Sequence, residues 1–154
     1  MIKHMGPAGE TAFLGSMNRT YLEHIRPQAW RQQDTQLIPK PKDPGNTRPI
    51  ALLSYMEKTG EKMVLNRMKY KIGPLHKQLY AYQEGIGTSE CITDVLSCIN
   101  QKKATIVFID FEKAFELASR AAMLQSVARK GVIGHLLAWT KNYVLGRQAG
   151  VKFQ

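Results

Sequence analysis

The sequence has few cysteines and no long apolar segment. Its two cysteines, Cys91 and Cys98, would stand about 10 Å apart on a helix that rises 1.5 Å per residue, which is too far for a disulfide bond. Two cysteines also cannot form a four-thiolate metal site. No apolar run approaches the roughly 18 residues of a membrane-spanning helix, and the first residues lack the apolar region of a signal peptide. We therefore expect an intracellular protein, in the cytoplasm or the nucleus, with no membrane partner.

Acidic residues are also scarce. The chain has 12 aspartates and glutamates against 22 lysines and arginines, which gives a formal net charge of +10. The excess is concentrated between residues 38 and 77, where the sequence has nine basic residues and three acidic ones. Such a concentration predicts a polyanionic partner, above all a nucleic acid. A solvated basic face without a ligand is the alternative.

The rest of the composition is typical of one globular domain, with 154 residues of which 44% are hydrophobic. Apolar residues at helical spacing predict a helix in the first thirty residues, which ends at Pro27 and leaves Trp30 in a loop. Two apolar runs then flank the turn signal Asp-Pro-Gly-Asn at residues 43–46, and this pattern predicts a β-hairpin. The prolines of the hairpin favour an edge strand or a flap.

Further helices are predicted from their end signals. Ser54, with Glu57 three residues later, forms a capping box that opens a helix ending near Ile72. Helices are also predicted at about 89–101, 119–130 and 133–145, and Gly131 suits the C-cap of the helix at 119–130. The methionines of the helix that follows Ser54 are interpreted as core packing. Residues 149–154 have the pattern of a strand that begins there.

The apolar run at residues 104–110 predicts a strand that ends on a carboxylate, Asp110. Its continuous Ile-Val-Phe-Ile segment at 106–109 is typical of a buried strand. The aspartate has two interpretations. It caps the turn or helix that follows, or it lies at a sheet edge where its oxygens bind a metal ion or a phosphate.

Three segments, in this order, resemble the reverse transcriptases of non-long-terminal-repeat (LINE-type) retrotransposons. They are residues 37–68 (LIPKPKDPGNTRPIALLSYMEKTGEKMVLNRM), 81–96 (AYQEGIGTSECITDVL) and 107–116 (VFIDFEKAFE), and residues 136–154 resemble a fourth, weaker block. The resemblance implies an α+β fold, namely the fingers and part of the palm of a right-hand polymerase. Helices would pack on a small sheet, with the β-hairpin in the fingers. Residues 1–103 would form the fingers and fingers–palm helices, and residues 104–154 the first part of the palm.

The resemblance also implies an activity, RNA-directed DNA polymerisation, which is a phosphoryl transfer assisted by two Mg²⁺ ions. Asp110 would be the catalytic carboxylate that first binds metal, and Phe111 would offer its main-chain carbonyl to the nucleotide-bound metal. Phe115 would lie under the sugar and exclude a 2′-hydroxyl. The incoming deoxynucleoside triphosphate would contact Lys40, Lys42 and Arg48. The RNA template, paired with a DNA primer, would lie against the backbone of Gln83, Gly85 and Gly87.

The sequence departs from the family pattern at several points. The family's Tyr-x-Asp-Asp motif is missing, because none of the four aspartates of the chain is adjacent to another. Glu116 stands where the family usually has aspartate, and Gly87 stands where it commonly has arginine. We therefore expect a domain truncated at both ends, without the rest of the palm and the thumb, that is inactive alone. A basic nucleic-acid-binding remnant without chemistry and a phosphotransfer protein that uses Asp110 are the alternatives.

Overall fold

The computed structural model describes residues 4–41, 43–99, 103, 105–115, 117–145 and 147–151. Over these residues the chain forms six helices and three strands. They are α1 (Gly6–Glu23), α2 (Gln28–Arg31), β1 (Gln32–Lys40), β2 (Asp43–Leu52), α3 (Tyr55–Ile72), α4 (Thr88–Ile99), α5 (Arg120–Arg129), α6 (Gly134–Leu145) and β3 (Gln148–Val151). Within the described ranges, none of the helices combines the length and apolarity that a membrane crossing requires. The mixed α/β content agrees with the predicted fold class.

The chain divides into two compact units. The first unit joins Met1–Ile72 to Ser119–Gln154, and the second unit is Gly73–Ala118. The division into fingers and palm near residue 103 stays a prediction, because these units are defined by packing within the chain.

The sheet of the first unit has the strand order β2-β1-β3. β1 pairs with β2 in antiparallel orientation, which confirms the predicted hairpin, and β3 pairs with β1 in parallel. The predicted position of the hairpin turn is wrong: Lys40 pairs with Asp43, and Pro39 pairs with Thr47. Residues 44–46 therefore bulge from β2, because a proline and a glycine suit an irregular stretch better than a regular ladder. The pairing with β3 ends at Thr35, before Pro39, the one proline of β1, which therefore removes no donor from the ladder between β1 and β3.

Two predictions near the N-terminus have different outcomes. The first helix is confirmed, but it ends at Glu23, because His24 adopts the left-handed conformation with φ 58°. The placement of Trp30 in a loop is wrong, since Trp30 belongs to the single helical turn α2. Pro27 supplies the carbonyl that accepts the N–H of Trp30 at 2.9 Å, and the indole is then buried against Phe13 and Met17. Burial of a large aromatic side chain stabilises a turn that the local sequence does not specify.

The helix ends follow the local signals closely. Ser54 caps α3, because its Oγ accepts the main-chain N–H of Glu57 at 3.1 Å, and α3 ends at Ile72 before Gly73, whose φ is +69°. Ser119 caps α5 by accepting the N–H of Ala122 at 3.3 Å. Gly131 follows α5 with φ +87°, a conformation that favours glycine.

Two hydrophobic clusters form the core of the first unit. One contains Val64, Val132, Leu136 and Trp139, and the other contains Phe13, Met17 and Trp30. The methionines of α3 pack against both clusters, which confirms their interpretation as core residues. Gly60 lets α3 approach α1, because a Cβ at this position would lie 2.9 Å from the Sδ of Met17.

A buried ion pair ties α3 to the start of the sheet. The Nη2 of Arg26 lies 2.5 Å from the Oε1 of Glu57, and both side chains are almost fully buried. Gln33 donates to the same carboxylate oxygen at 3.2 Å. The second half of the predicted capping box is therefore not formed, because the Glu57 carboxylate binds Arg26 instead of the main chain. Burial lowers the pKa of the Arg26 guanidinium, while the charge of Glu57 opposes this effect.

The strand predicted at residues 104–110 is wrong. Residues 105–110 have no regular secondary structure, and residue 104 lies outside the described residues. The side chain of Phe108 is 89% exposed, and those of Val107 and Ile109 are also exposed. A strand needs a hydrogen-bonded neighbour, and no described residue of the second unit belongs to a strand. The apolar run therefore has β propensity but no neighbouring strand among the described residues of this unit. None of the described residues between 73 and 118 is buried.

Candidate functional site

Asp110 lies at the end of the exposed segment 105–110 in the second unit. A turn at residues 112–115 follows, in which the N–H of Leu117 donates to the carbonyl of Lys113 at 2.9 Å. The Asp110 side chain is exposed and has no hydrogen bond or ion pair with any described residue. Its carboxylate is therefore available to a ligand from outside this segment.

Phe111 and Phe115 flank this turn, and their side chains are 76% and 80% exposed. The ring of Phe115 meets the ring of Tyr82 edge-on, with centroids 6.4 Å apart and an interplanar angle of 89°. Edge-to-face contact is a preferred geometry of aromatic pairs. Tyr82 precedes Gln83, so this contact connects the turn after Asp110 to the segment with the predicted template-binding residues. Tyr82 was not among the predicted site residues. The sequence marks it only by its aromatic side chain and its position next to Gln83.

The three predicted template-binding residues lie together in the loop before α4. Gln83 is half-buried and donates its side-chain amide to the carbonyl of Leu79. Gly85 has φ +76°, which a residue with a Cβ adopts only with strain. Gly87 donates its N–H to the Oε2 of Glu90 at 2.7 Å. The main-chain N–H of Gly87 is thus already used, while its carbonyl accepts the N–H of Cys91 at the start of α4.

Two further contacts fix the start of α4. The pKa of the Glu90 carboxyl is lowered by hydrogen bonds that the carboxylate accepts from the main-chain N–H of Glu90 itself and from that of Gly87. Tyr80 donates its hydroxyl to the Oδ2 of Asp94, and this hydrogen bond is the main cause that raises the pKa of Tyr80 to about 12. The loop that precedes α4 is therefore held by polar contacts at the surface and not by a core.

The predicted triphosphate-binding residues lie on the hairpin of the first unit. Lys40 ends β1, and Arg48 is exposed in β2 opposite Ile38, two residues before Lys40. Lys42 lies outside the described residues. Neither Lys40 nor Arg48 has an ion pair with any residue that the structure describes. The hairpin therefore presents cationic side chains that are available to an anion.

The described residues do not by themselves form a metal site. Across the described ranges, no group of three or more histidine, cysteine, aspartate or glutamate side chains lies close enough together to hold an ion. A pair of Mg²⁺ ions needs several hard oxygen ligands, and near Asp110 the segment offers the Asp110 carboxylate, the Phe111 carbonyl and the exposed carboxylate of Glu112. Further carboxylates would have to come from outside this set of residues.

Residues 38–153 match the sequence model of the family described as reverse transcriptase (RNA-dependent DNA polymerase). This range includes all nine residues to which the sequence analysis assigned a role. A comparison with curated proteins gives no match.

Proposed function

Because the chain belongs to the reverse transcriptase family, we propose that it is part of an RNA-directed DNA polymerase from a non-long-terminal-repeat retrotransposon. The observation that carries this proposal is the family match, which runs from the hairpin through Asp110 to β3. The strand–aspartate pattern alone also suits a phosphotransfer protein, but the match over 116 of 154 residues favours the polymerase. Its partners are then an RNA template, a DNA primer and deoxynucleoside triphosphates.

Asp110 is the proposed metal-ligating carboxylate, together with the main-chain carbonyl of Phe111. Reverse transcriptases generally use divalent metal ions such as Mg²⁺, which stabilise charge on the reacting oxygens when they are bound. The exposed position of Asp110 supports this role, since none of the residues that the structure describes forms a hydrogen bond or ion pair with the carboxylate. The sequence has no adjacent pair of aspartates, so these 154 residues alone are proposed to be inactive. The missing carboxylates would belong to a longer chain.

Nucleotide selection is assigned to the hairpin and to Phe115. Arg48, Lys40 and Lys42 would bind the triphosphate, because cationic side chains on a hairpin can meet phosphate oxygens. Phe115 would lie under the sugar, and its exposed ring, held edge-on by Tyr82, supports a contact with substrate. The backbone around Gln83 and Gly85 would approach the template. Gly87 would take part through atoms other than its N–H, which donates to Glu90.

The test uses a longer chain that continues past Gln154 in its own reading frame and includes a Tyr-x-Asp-Asp motif. Asp110→Ala should abolish extension of a DNA primer on an RNA template, because a metal-ligating carboxylate is lost. Binding of the primer–template should change less than about twofold, since phosphate contacts dominate affinity. Glu112→Gln, two residues away and also exposed, is the matched control and should keep extension. Extension by the Asp110→Ala variant would overturn the assignment.

The second candidate function is a nucleic-acid-binding remnant without chemistry. The charge of +10 favours it, as does the absence of a carboxylate cluster from the residues that the structure describes. Both candidates predict binding that weakens steeply with salt, so binding alone does not separate them. If the frame past Gln154 holds no adjacent aspartate pair, or if extension never occurs, the remnant is the better description.

A further inference from the structure

A cavity in the first unit is lined by none of the residues with a proposed polymerase role. It has a volume of about 490 Å³, which lies within the range of small-molecule sites. It is bounded by the C-terminal half of α3, by Tyr21 of α1 and by the start of α6. Its walls include Asn66, Arg67, Tyr70, Lys71, Ile133 and His135.

The charge of this cavity is of one sign. Arg67 and Lys71 line it, and no acidic residue is among the lining residues. Lys71 has no ion pair with any described residue, so its ammonium group is available to an anion. The Asn66 side chain is exposed and makes no hydrogen bond within the described parts of the chain. The cavity therefore offers cationic groups for a phosphate and an amide for the polar edge of a base.

The cavity also exposes surfaces on which a flat ring can stack. Tyr70 of α3 is 86% exposed, and Ile133, which also lines the cavity, is 73% exposed. An aromatic side chain beside basic residues is the combination that binds unpaired bases, because every base has a π face and every nucleotide carries a phosphate. Neither exposed side chain contributes to the hydrophobic clusters of the core.

The inner wall is held in place before any ligand arrives. The guanidinium of Arg67 lies 4.7 Å from the ring centroid of Tyr21, within the range of a cation–π contact. The Nδ1 of His135 lies 3.2 Å from the Nε2 of His24. The ring of His135 also packs beside Tyr21, with centroids 6.2 Å apart. A wall fixed in this way loses little conformational entropy when a ligand binds.

We propose that this cavity binds one unpaired nucleotide of a single-stranded nucleic acid. The base stacks on Tyr70 and contacts Ile133, the Asn66 amide bonds the base edge, and Lys71 with Arg67 bind the adjacent phosphate. The inference does not rest on polymerase activity, because it uses none of the residues assigned to that site. It adds a contact surface that recognises unpaired bases as well as phosphate charge.

The test measures binding of the full chain to a ten-nucleotide oligouridylate and to an RNA duplex of ten base pairs. Tyr70→Ala should weaken binding of the single strand by roughly 5- to 100-fold, as expected for one lost stacking contact. It should leave binding of the duplex unchanged within about twofold, because paired bases cannot stack on Tyr70. Lys71→Gln should reduce the salt dependence of single-strand binding by about 0.7 in the log–log slope, which corresponds to one phosphate contact.

The matched control is Tyr55→Ala, which removes a 71% exposed tyrosine from the first turn of the same helix and outside the cavity. Circular dichroism should show both tyrosine variants folded, since both side chains are exposed. Parent-like binding by Tyr70→Ala would overturn the proposal, as would an equal loss in Tyr55→Ala. An equal loss for the duplex would show a phosphate contact without base recognition and would also overturn it. A failed primer-extension assay would leave these results unaffected.

Discussion

The two compact units of this chain differ in the burial of their apolar residues. In the first unit, Val132 is fully buried and Trp139 is 6% exposed, and two hydrophobic clusters pack the helices against one another. In the second unit, no described residue is buried, although residues 106–109 are as apolar as any strand of the chain. Phe108 is 89% exposed. The difference lies in the available partners, because β propensity is expressed only when a neighbouring strand accepts the hydrogen bonds.

The polar contacts of the two units also differ in burial. The first unit buries Arg26 against Glu57 at 2.5 Å, and further hydrogen bonds support the pair, because Arg26 also donates to the carbonyl of Trp30 and Gln33 donates to Glu57. The second unit holds its loop with exposed contacts, such as the one between Gly87 and Glu90. The proposed catalytic carboxylate, Asp110, therefore belongs to the part of the chain with the fewest internal contacts.

The largest expected effect compares the two units directly. Trp139→Ala should lower the free energy of unfolding by about 3–5 kcal/mol, since it removes a buried aromatic side chain from a packed cluster. Phe108→Ala removes an aromatic side chain from the second unit and should change it by less than about 0.5 kcal/mol. Urea denaturation measures these free energies. Circular dichroism follows the unfolding of both variants, and tryptophan fluorescence also follows that of Phe108→Ala. Equal costs would mean that residues 105–110 are packed in solution.

The next effect tests the buried ion pair of the first unit. Glu57→Ala should cost about 3–5 kcal/mol, because it leaves the Arg26 guanidinium buried without its counter-charge. The matched change is Glu23→Ala, which breaks the exposed pair with Arg19 at 3.1 Å and should cost only about 0.3–0.5 kcal/mol. Urea denaturation of both variants compares the two. A cost for Glu57→Ala as small as that for Glu23→Ala would show that water reaches the pair.

A smaller effect tests the cap of α3. Ser54→Ala should cost about 1 kcal/mol, because the main-chain N–H of Glu57 loses the hydroxyl that accepts it. Ser126→Ala is the control in the middle of α5, where the hydroxyl only donates to the carbonyl of Ala122. That change should stay within about 0.5 kcal/mol. Thermal unfolding of both variants measures the difference. Equal losses of stability would mean that the Ser54 hydroxyl does not stabilise the start of α3.

How far the sequence predicted this molecule depends on the range of each interaction. Ser54 and Gly131 act on residues within one turn of themselves, and the helix start and the helix end that they predict are confirmed. Trp30 was misplaced because its helical turn depends on burial against α1. Such a contact between distant residues leaves no periodic pattern in the local sequence.

Glu57 and Asp110 show the same limit at the polar sites. The spacing of Glu57 from Ser54 predicts a capping box, but the carboxylate binds Arg26, which lies 31 residues earlier. The role of Asp110 came from the resemblance to a family, and the family is confirmed by the match over residues 38–153. The role itself stays a proposal, because a metal pair needs several ligands and the described residues include no cluster of three or more histidine, cysteine, aspartate or glutamate side chains that could hold an ion.

The smallest expected effect is a pH dependence in the second unit. Glu90 has a pKa below its ordinary value of 4.5, because its own main-chain N–H and that of Gly87 donate to the ionised carboxylate. A depressed pKa means that the contact stabilises the start of α4 above pH 4.5 and that this stabilisation is lost as the pH falls through the lowered pKa. The amide proton signal of Gly87 should therefore shift in NMR spectra as the solution is acidified from about pH 6 to pH 2.

Glu90→Gln separates this titration from the other acidic residues of the unit. A glutamine oxygen can still accept the Gly87 N–H, but it does not ionise, so the Gly87 signal should lose its transition below pH 4.5. Glu84→Gln, six residues earlier in the loop before α4 and also exposed, should keep the transition. An unchanged curve in Glu90→Gln would mean that the surface contact does not hold the loop.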